Sequence, residues 1–268
     1  LLLPYFIGDP FKVLRTYDTY YNQSEPFFIN NNRGYVSTQM YLKNFPKYKF
    51  DSFIFGSSRS GFYRIAQWKM YLPENSNCFH FDGYGESLYQ IHKKIMFLDS
   101  INAPINNALI CIDKMVIEMV EPFYNHLNYL PPALVNNNNF YSFHFSHIRS
   151  YLKPKFLKAY LDYFFTRQVK QYMFDSLVFE EKAYDYDEST NETGIDNGKY
   201  VSCDTIHYNT PEKMAKFYLR TDHQQYYKTM IKETQIKMLL DIKSVFEKRK
   251  TNYKIVINPV YDQRKFSK

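Results

Sequence analysis

A three-layer α/β/α sandwich around a parallel, doubly wound sheet is the fold this sequence predicts, with a helical insertion between the third and last visible strands. Two observations predict it. Four short apolar runs each stop at turn residues, and segments with helical character separate them. Continuous apolar runs alternating with helices mark strands that are buried on both faces. The chain has 268 residues, 45% hydrophobic and 23% charged. That is enough to bury its own core, and wholesale disorder is excluded.

Residues 1–48 are rich in Tyr, Asn and Pro without a clean period and read as an extended lead-in with short helical pieces. Its start, Leu1-Leu2-Leu3-Pro4-Tyr5-Phe6-Ile7, is apolar and has no initiator Met. It reads as the end of a trimmed membrane anchor, or as an element that docks on the domain. The α/β domain then spans 49–268. Its first strand, Asp51-Ser52-Phe53-Ile54-Phe55, stops at Gly56-Ser57-Ser58, and a helix is predicted over 62–71. Asn77-Cys78-Phe79-His80-Phe81 is the second strand. After it, Leu88, Ile91, Ile95 and Leu98 share one helical face within 86–100. The third run, 107–112, stops at Asp113.

The insertion, helical and acidic over about 116–210, follows. Within it a helix is predicted over 154–174 and a loop or flexible hairpin over the acidic stretch ending at Gly194. Pro211, with Thr210 as its cap, opens another helix, and a long helix over 222–250 leads into the fourth run at 253–257.

Charge is uneven. The net charge is +7, yet residues 175–204 hold nine acidic residues against Lys182 and Lys199, and 206–268 hold fourteen Lys/Arg against six Asp/Glu. Solvated helix faces explain the basic quarter, because Ile231, Met238, Leu239, Ile242, Val245 and Phe246 share one face there. Nucleic acid is therefore not expected as a partner. Cys78, Cys111 and Cys203 show no CxxC spacing and read as small core residues. No run of 18 apolar residues spans a membrane. The sequons at Asn22 and Asn191 are expected by chance in so Asn-rich a chain.

In a doubly wound sheet, ligands collect beyond the carboxyl ends of the strands. Those ends carry Gly56-Ser57-Ser58-Arg59, Asp82-Gly83, Asp113 and Asn258-Pro259-Val260-Tyr261-Asp262. Asp, Asn, Gly and Ser also end strands for purely structural reasons. Ser58 follows a glycine at a strand-to-helix turn, where its hydroxyl can face outward beside free backbone N–H groups, a geometry suited to a nucleophile whose attack creates an oxyanion. The plainer alternative is that Ser57, Ser58 or Ser60 caps the helix. His144 and His147 form a pair without a third ligand, so no metal is expected. His80 reads as a core histidine. No Walker loop or GxGxxG is present, and no cofactor is expected.

The run Asp51–Ser60 resembles the first block of SGNH (GDSL-type) hydrolases and acyltransferases, where a strand ends at a nucleophilic serine. Phe81-Asp82-Gly83-Tyr84-Gly85-Glu86-Ser87, Asp113 and the Asn258–Gln263 segment are similar to a bacterial subgroup of that superfamily. The likeness covers about 48–115 and 250–263. Members of the subgroup are often membrane-anchored outside the cytoplasm and are linked to O-acylation of envelope polysaccharides, some beside a membrane-bound acyltransferase.

The resemblance implies that Ser58 is the nucleophile and that its own N–H forms part of the oxyanion hole. Gly85 would give the second donor, with Gly83 or Tyr84 as alternatives. Arg59, Asp82, Asp113 and Asp262 would contact an acylated carbohydrate. Two departures stand out. The family's Asn donor is replaced in Cys111-Ile112-Asp113-Lys114, and no His follows the last strand up to Lys268. Either the chain continues and brings the base, or the base comes from elsewhere, or the protein does no chemistry. Asp204-Thr205-Ile206-His207 has the right Asp-to-His spacing, though it precedes the last strand. Two functions follow: an extracytoplasmic serine esterase or O-acyltransferase, or a non-catalytic scaffold of the same fold that binds a glycan or a membrane partner.

Overall fold

A computed structural model describes residues 1–22, 24, 27–175, 178–181, 184–195, 210–214, 226–227, 231–258 and 265–266. The chain opens with α1 (Leu3–Gly8) and β1 (Phe27–Ile29), then enters α2 (Arg33–Tyr48). From there it alternates: β2 (Ser52–Gly56), a 3-10 turn (Ser58–Phe62), α3 (Ile65–Lys69), β3 (Cys78–Asp82), α4 (Leu88–Ser100) and β4 (Asn107–Ile112). The insertion holds α5 (Lys114–Glu118), α6 (Phe140–Tyr151), α7 (Pro154–Thr166) and α8 (Gln171–Asp175). It also holds β5 (Phe179–Glu181) and the strands β6 (Tyr184–Asp187) and β7 (Glu192–Ile195). Beyond α9 (Pro211–Met214), α10 (Glu233–Arg249) leads into β9 (Asn252–Ile257). The two-residue strands β8 (Tyr226–Tyr227) and β10 (Lys265–Phe266) pair with each other.

The central sheet has four parallel strands in the order β3-β2-β4-β9. The chain moves from β2 outward to β3 and then back across to β4, so the switch point lies between β2 and β4. β2, β3 and β4 are buried throughout, as parallel strands covered by helices must be. One face places Phe53, Phe55, Phe79, Phe81, Ala108, Ile110 and Ile112 in the main core, with residues of α2, α4 and α10. The other face sets Ile54, Leu109 and Cys111 against Ile65 of α3 and against Trp68 and Leu72. The chain is thus α/β, with a four-stranded parallel sheet flanked by helices.

Several expectations are corrected. The lead-in contains a full 16-residue helix, α2, capped by Asn32, whose side chain accepts from Tyr35 N–H. Tyr41 on it meets the rings of Phe53, Phe79 and Phe81. The stretch 154–174 is two helices, because Arg167 turns left-handed at φ 56° and ends α7. Of the loop or hairpin expected for the acidic stretch, the hairpin is what forms: β6 and β7 pair antiparallel, with Asn191 fully buried at the turn. The predicted helix over 222–250 starts at Glu233, and Tyr226–Tyr227 within that range form the strand β8 instead. β9 is the edge of the described sheet, with Ile255 and Ile257 half-exposed or more.

A second, aromatic core lies apart from the sheet. Tyr5, Phe11, Phe143, Tyr151, Phe156, Tyr160 and Phe179 bring α1, α6, α7 and β5 together there. Among the described residues no helix is long and apolar enough to cross a membrane.

Candidate active site

The carboxyl edge of β2 is shaped by Gly56. Its φ is 154°, and a Cβ there would lie 2.8 Å from the Cys111 carbonyl oxygen on β4. Only glycine permits that approach at that backbone angle. Ser57 is extended, and the 3-10 turn begins at Ser58, which is exposed. As the first residue of the turn, Ser58 has an N–H without an intrahelical acceptor. No described side chain hydrogen-bonds its Oγ.

Two of the expected contact residues meet at the switch point. Arg59 Nη1 lies 2.9 Å from Asp113 Oδ2, while Asp113 Oδ1 accepts from Val116 N–H and caps α5. Tyr63 Oη donates to Asn258 Oδ1 at 2.7 Å and ties the same turn to the end of β9. Gly85 sits exposed on the neighbouring rim at φ 62°, backed by Asn128, whose side chain donates to the Tyr84 carbonyl. No hydrogen bond engages the Gly85 N–H among the described residues, so it stays available as a donor.

Gly83 and Asp82 do not fit the roles expected of them. The Gly83 N–H is donated to Gly56 O at 3.2 Å, so it is not free to meet an oxyanion. Asp82 is 1% exposed, and its carboxylate is bound by Arg33, with Nη2 to Oδ1 at 2.9 Å and Nε to Oδ2 at 3.1 Å. Asn191 adds a bond at 3.3 Å. Asp82 organises the interior and offers nothing to a substrate. Asp262, His207, Asp204 and Cys203 lie outside the described residues.

Beneath the strand ends runs a buried polar network. Arg33 Nη2 also donates to Asn191 O at 2.6 Å, and its guanidinium lies over the Tyr21 and Tyr186 rings. The Asn191 side chain donates to His80 O and accepts from Tyr186 Oη. Being buried and so engaged, it cannot carry a glycan. Lys94 donates to the carbonyls of Phe81 and Asp82 and pairs with Glu86. Burial pushes the Glu86 carboxyl up to about 7, with Lys94 opposing.

A serine and a histidine do meet, but not at Ser58. His80 Nε2 lies 3.0 Å from Ser60 Oγ, and both residues are fully buried. Ser60 Oγ donates its proton to Ser57 O at 2.7 Å. The ring must therefore donate from Nε2, which leaves Nδ1 unpartnered. A histidine that donates to a serine is not its base. Burial holds the His80 ring down at about 4, so it stays neutral. His147 donates from Nδ1 to Phe143 O inside the aromatic core, and no group of three metal-ligating side chains occurs among the described residues.

Sequence reading missed Arg33, Asn191 and Glu192. Arg33 shares a helix face with Val36 and Met40, a charge on an apolar stripe that flags a buried pair. Glu192 accepts from Ile65 N–H at 2.5 Å and pairs with Arg64 at 2.7 Å, so the hairpin caps α3. No local signal marks either hairpin residue. No family model matches the chain, and neither the curated proteins nor the solved structures contain a match to it.

Proposed function

We propose that the chain is an SGNH-type serine esterase or O-acyltransferase, acting on acyl esters of cell-envelope carbohydrate outside the cytoplasm. The observation that carries this is Ser58: exposed, on a Gly-Ser-Ser turn, at the carboxyl edge of β2 beside the switch point. In this reading Ser58 Oγ attacks the acyl carbonyl carbon, and its proton passes to a base. The Ser58 and Gly85 N–H groups meet the oxyanion. Collapse expels the first alkoxide, and water or a sugar hydroxyl then takes the acyl group from Ser58. Arg59, held by Asp113, lines the entrance, and a membrane-bound acyltransferase is the natural acyl source. His207, with Asp204, is the first base to test.

The second reading, a non-catalytic scaffold that binds a glycan or a membrane partner, is favoured by one observation: no described histidine bonds Ser58. A fluorophosphonate probe with peptide mapping separates the two. The enzyme reading expects an adduct on Ser58 that Ser58→Ala abolishes and His207→Ala slows. A folded protein that takes no adduct at Ser58 supports the scaffold.

A further inference from the structure

We propose that the face built by α1 and α7 docks on an anionic lipid bilayer. α1 lays one side against α6 and α7: the Tyr5 ring centroid is 5.1 Å from that of Tyr151 at the end of α6, and Gly8 backs onto Tyr160 and Phe164 of α7. Its other side leaves Leu3, Phe6 and Ile7 in water at 70%, 51% and 55% exposure. Leu152, which ends α6 just before α7, and Phe165 near the end of α7 are exposed as well. Grouped apolar side chains of this kind mark an interaction surface, whereas scattered ones need no explanation.

Charge selects the occupant. Residues 149–170 hold six Lys/Arg against one acid, Asp162, and that acid is already held by Lys170 and Tyr172. Arg15 lies directly beside the apolar side chains, its Nη2 donating to the Phe6 carbonyl at 2.8 Å. Lys153 precedes α7, and Arg167 closes it over the Phe164 ring. Apolar side chains that enter the acyl boundary while cations stay among the phosphates are what an interfacial surface needs. A nucleic acid would use the cations and leave Leu3, Phe6 and Ile7 in water. The surface is separate from Ser58 and does not depend on the chemistry there.

Flotation of the full chain with phosphatidylcholine vesicles, with and without phosphatidylglycerol, tests this. Binding is expected only with the anionic lipid, and weaker at high salt. The double variant Phe6→Ser with Ile7→Ser should lose about tenfold or more in partitioning. Lys153→Glu with Lys155→Glu should lose at least about fivefold per cation. Lys237→Glu with Lys243→Glu, on α10 of the other core, should bind like the parent. All these sites are exposed, so an unchanged thermal melt verifies folding. Absence of binding to anionic vesicles at low salt would overturn the proposal. So would equal loss in the α10 variant, unaltered binding by Phe6→Ser with Ile7→Ser, or binding to duplex DNA in preference to vesicles.

Discussion

Arg33 carries its charge into complete burial, and Asp82 meets it there with two hydrogen bonds, while Tyr21 and Tyr186 cover its faces. Desolvating both ions costs about what their attraction returns, but an orphaned partner has no compensation. Arg33→Met and Asp82→Asn should therefore each lower unfolding free energy by about 3 kcal/mol or more in urea titrations, and the double variant should lose less than the sum. A loss under about 1 kcal/mol for Arg33→Met would refute this account of the pair. Gly56 makes a second case. Gly56→Ala puts a Cβ 2.8 Å from a carbonyl oxygen at φ 154° and should cost about 2 kcal/mol or more. At Gly61 the nearest atom to a new Cβ is 3.6 Å away, so Gly61→Ala should be nearly neutral. Equal melting temperatures for the two alanine variants would show that the approach of β2 to β4 is not what requires Gly56.

The β6–β7 hairpin acts at the scale of elements. Thr190 O accepts from His80 N–H at the outer edge of β3, and Glu192 holds the first turn of α3. The hairpin thus braces β3, from which the Gly85 rim departs, and the segment that follows the Ser58 turn. Glu192→Ala should cost about 1–2 kcal/mol, the worth of a helix cap. It should also raise hydrogen exchange at the Ile65 amide and slow probe labelling of Ser58. Labelling at the parental rate would show that the hairpin does not position the turn of the proposed nucleophile. Little of this clasp was legible, because Asn191 and Asp82 are separated by 109 residues and no local period records such a pairing. β2, β3, β4 and α4 were legible: buried parallel strands are continuous apolar runs, and Leu88, Ile91, Ile95 and Leu98 repeat at helical spacing. α2 was hidden by Pro46 in its last turn and by its Tyr and Asn content. Ser58, Arg59 and Asp113 were read from strand ends. Asp82 was misread, since an Asp after a strand looks the same in sequence whether it faces solvent or a buried arginine.

Two cores with neutral histidines inside them give the whole molecule an acid limit. Burial lowers His80 to about 4 and His147 to about 3, from 6.5 in both cases. Burial also lowers His126 to about 4, although that ring is only partly covered. The unfolded chain binds protons at these sites as pH falls below 6.5, while the folded chain does not until its own lower values are reached. Their stability is therefore complete above 6.5 and is lost as pH falls toward 4. Each fully buried ring accounts for about 3 kcal/mol over that interval. Glu86 works in the opposite sense. Its carboxyl, raised from 4.5 to about 7, takes up its proton earlier in the folded chain and gains stability as pH falls. Two buried rings against one carboxyl leave a net loss on the order of 3 kcal/mol. The urea midpoint should fall accordingly, and His147→Gln, which keeps a donor for the Phe143 carbonyl and cannot titrate, should flatten the slope. A midpoint constant from pH 6.5 down to about 4 would mean that the interiors admit enough water to charge the rings, and that the two cores are looser than their packing implies.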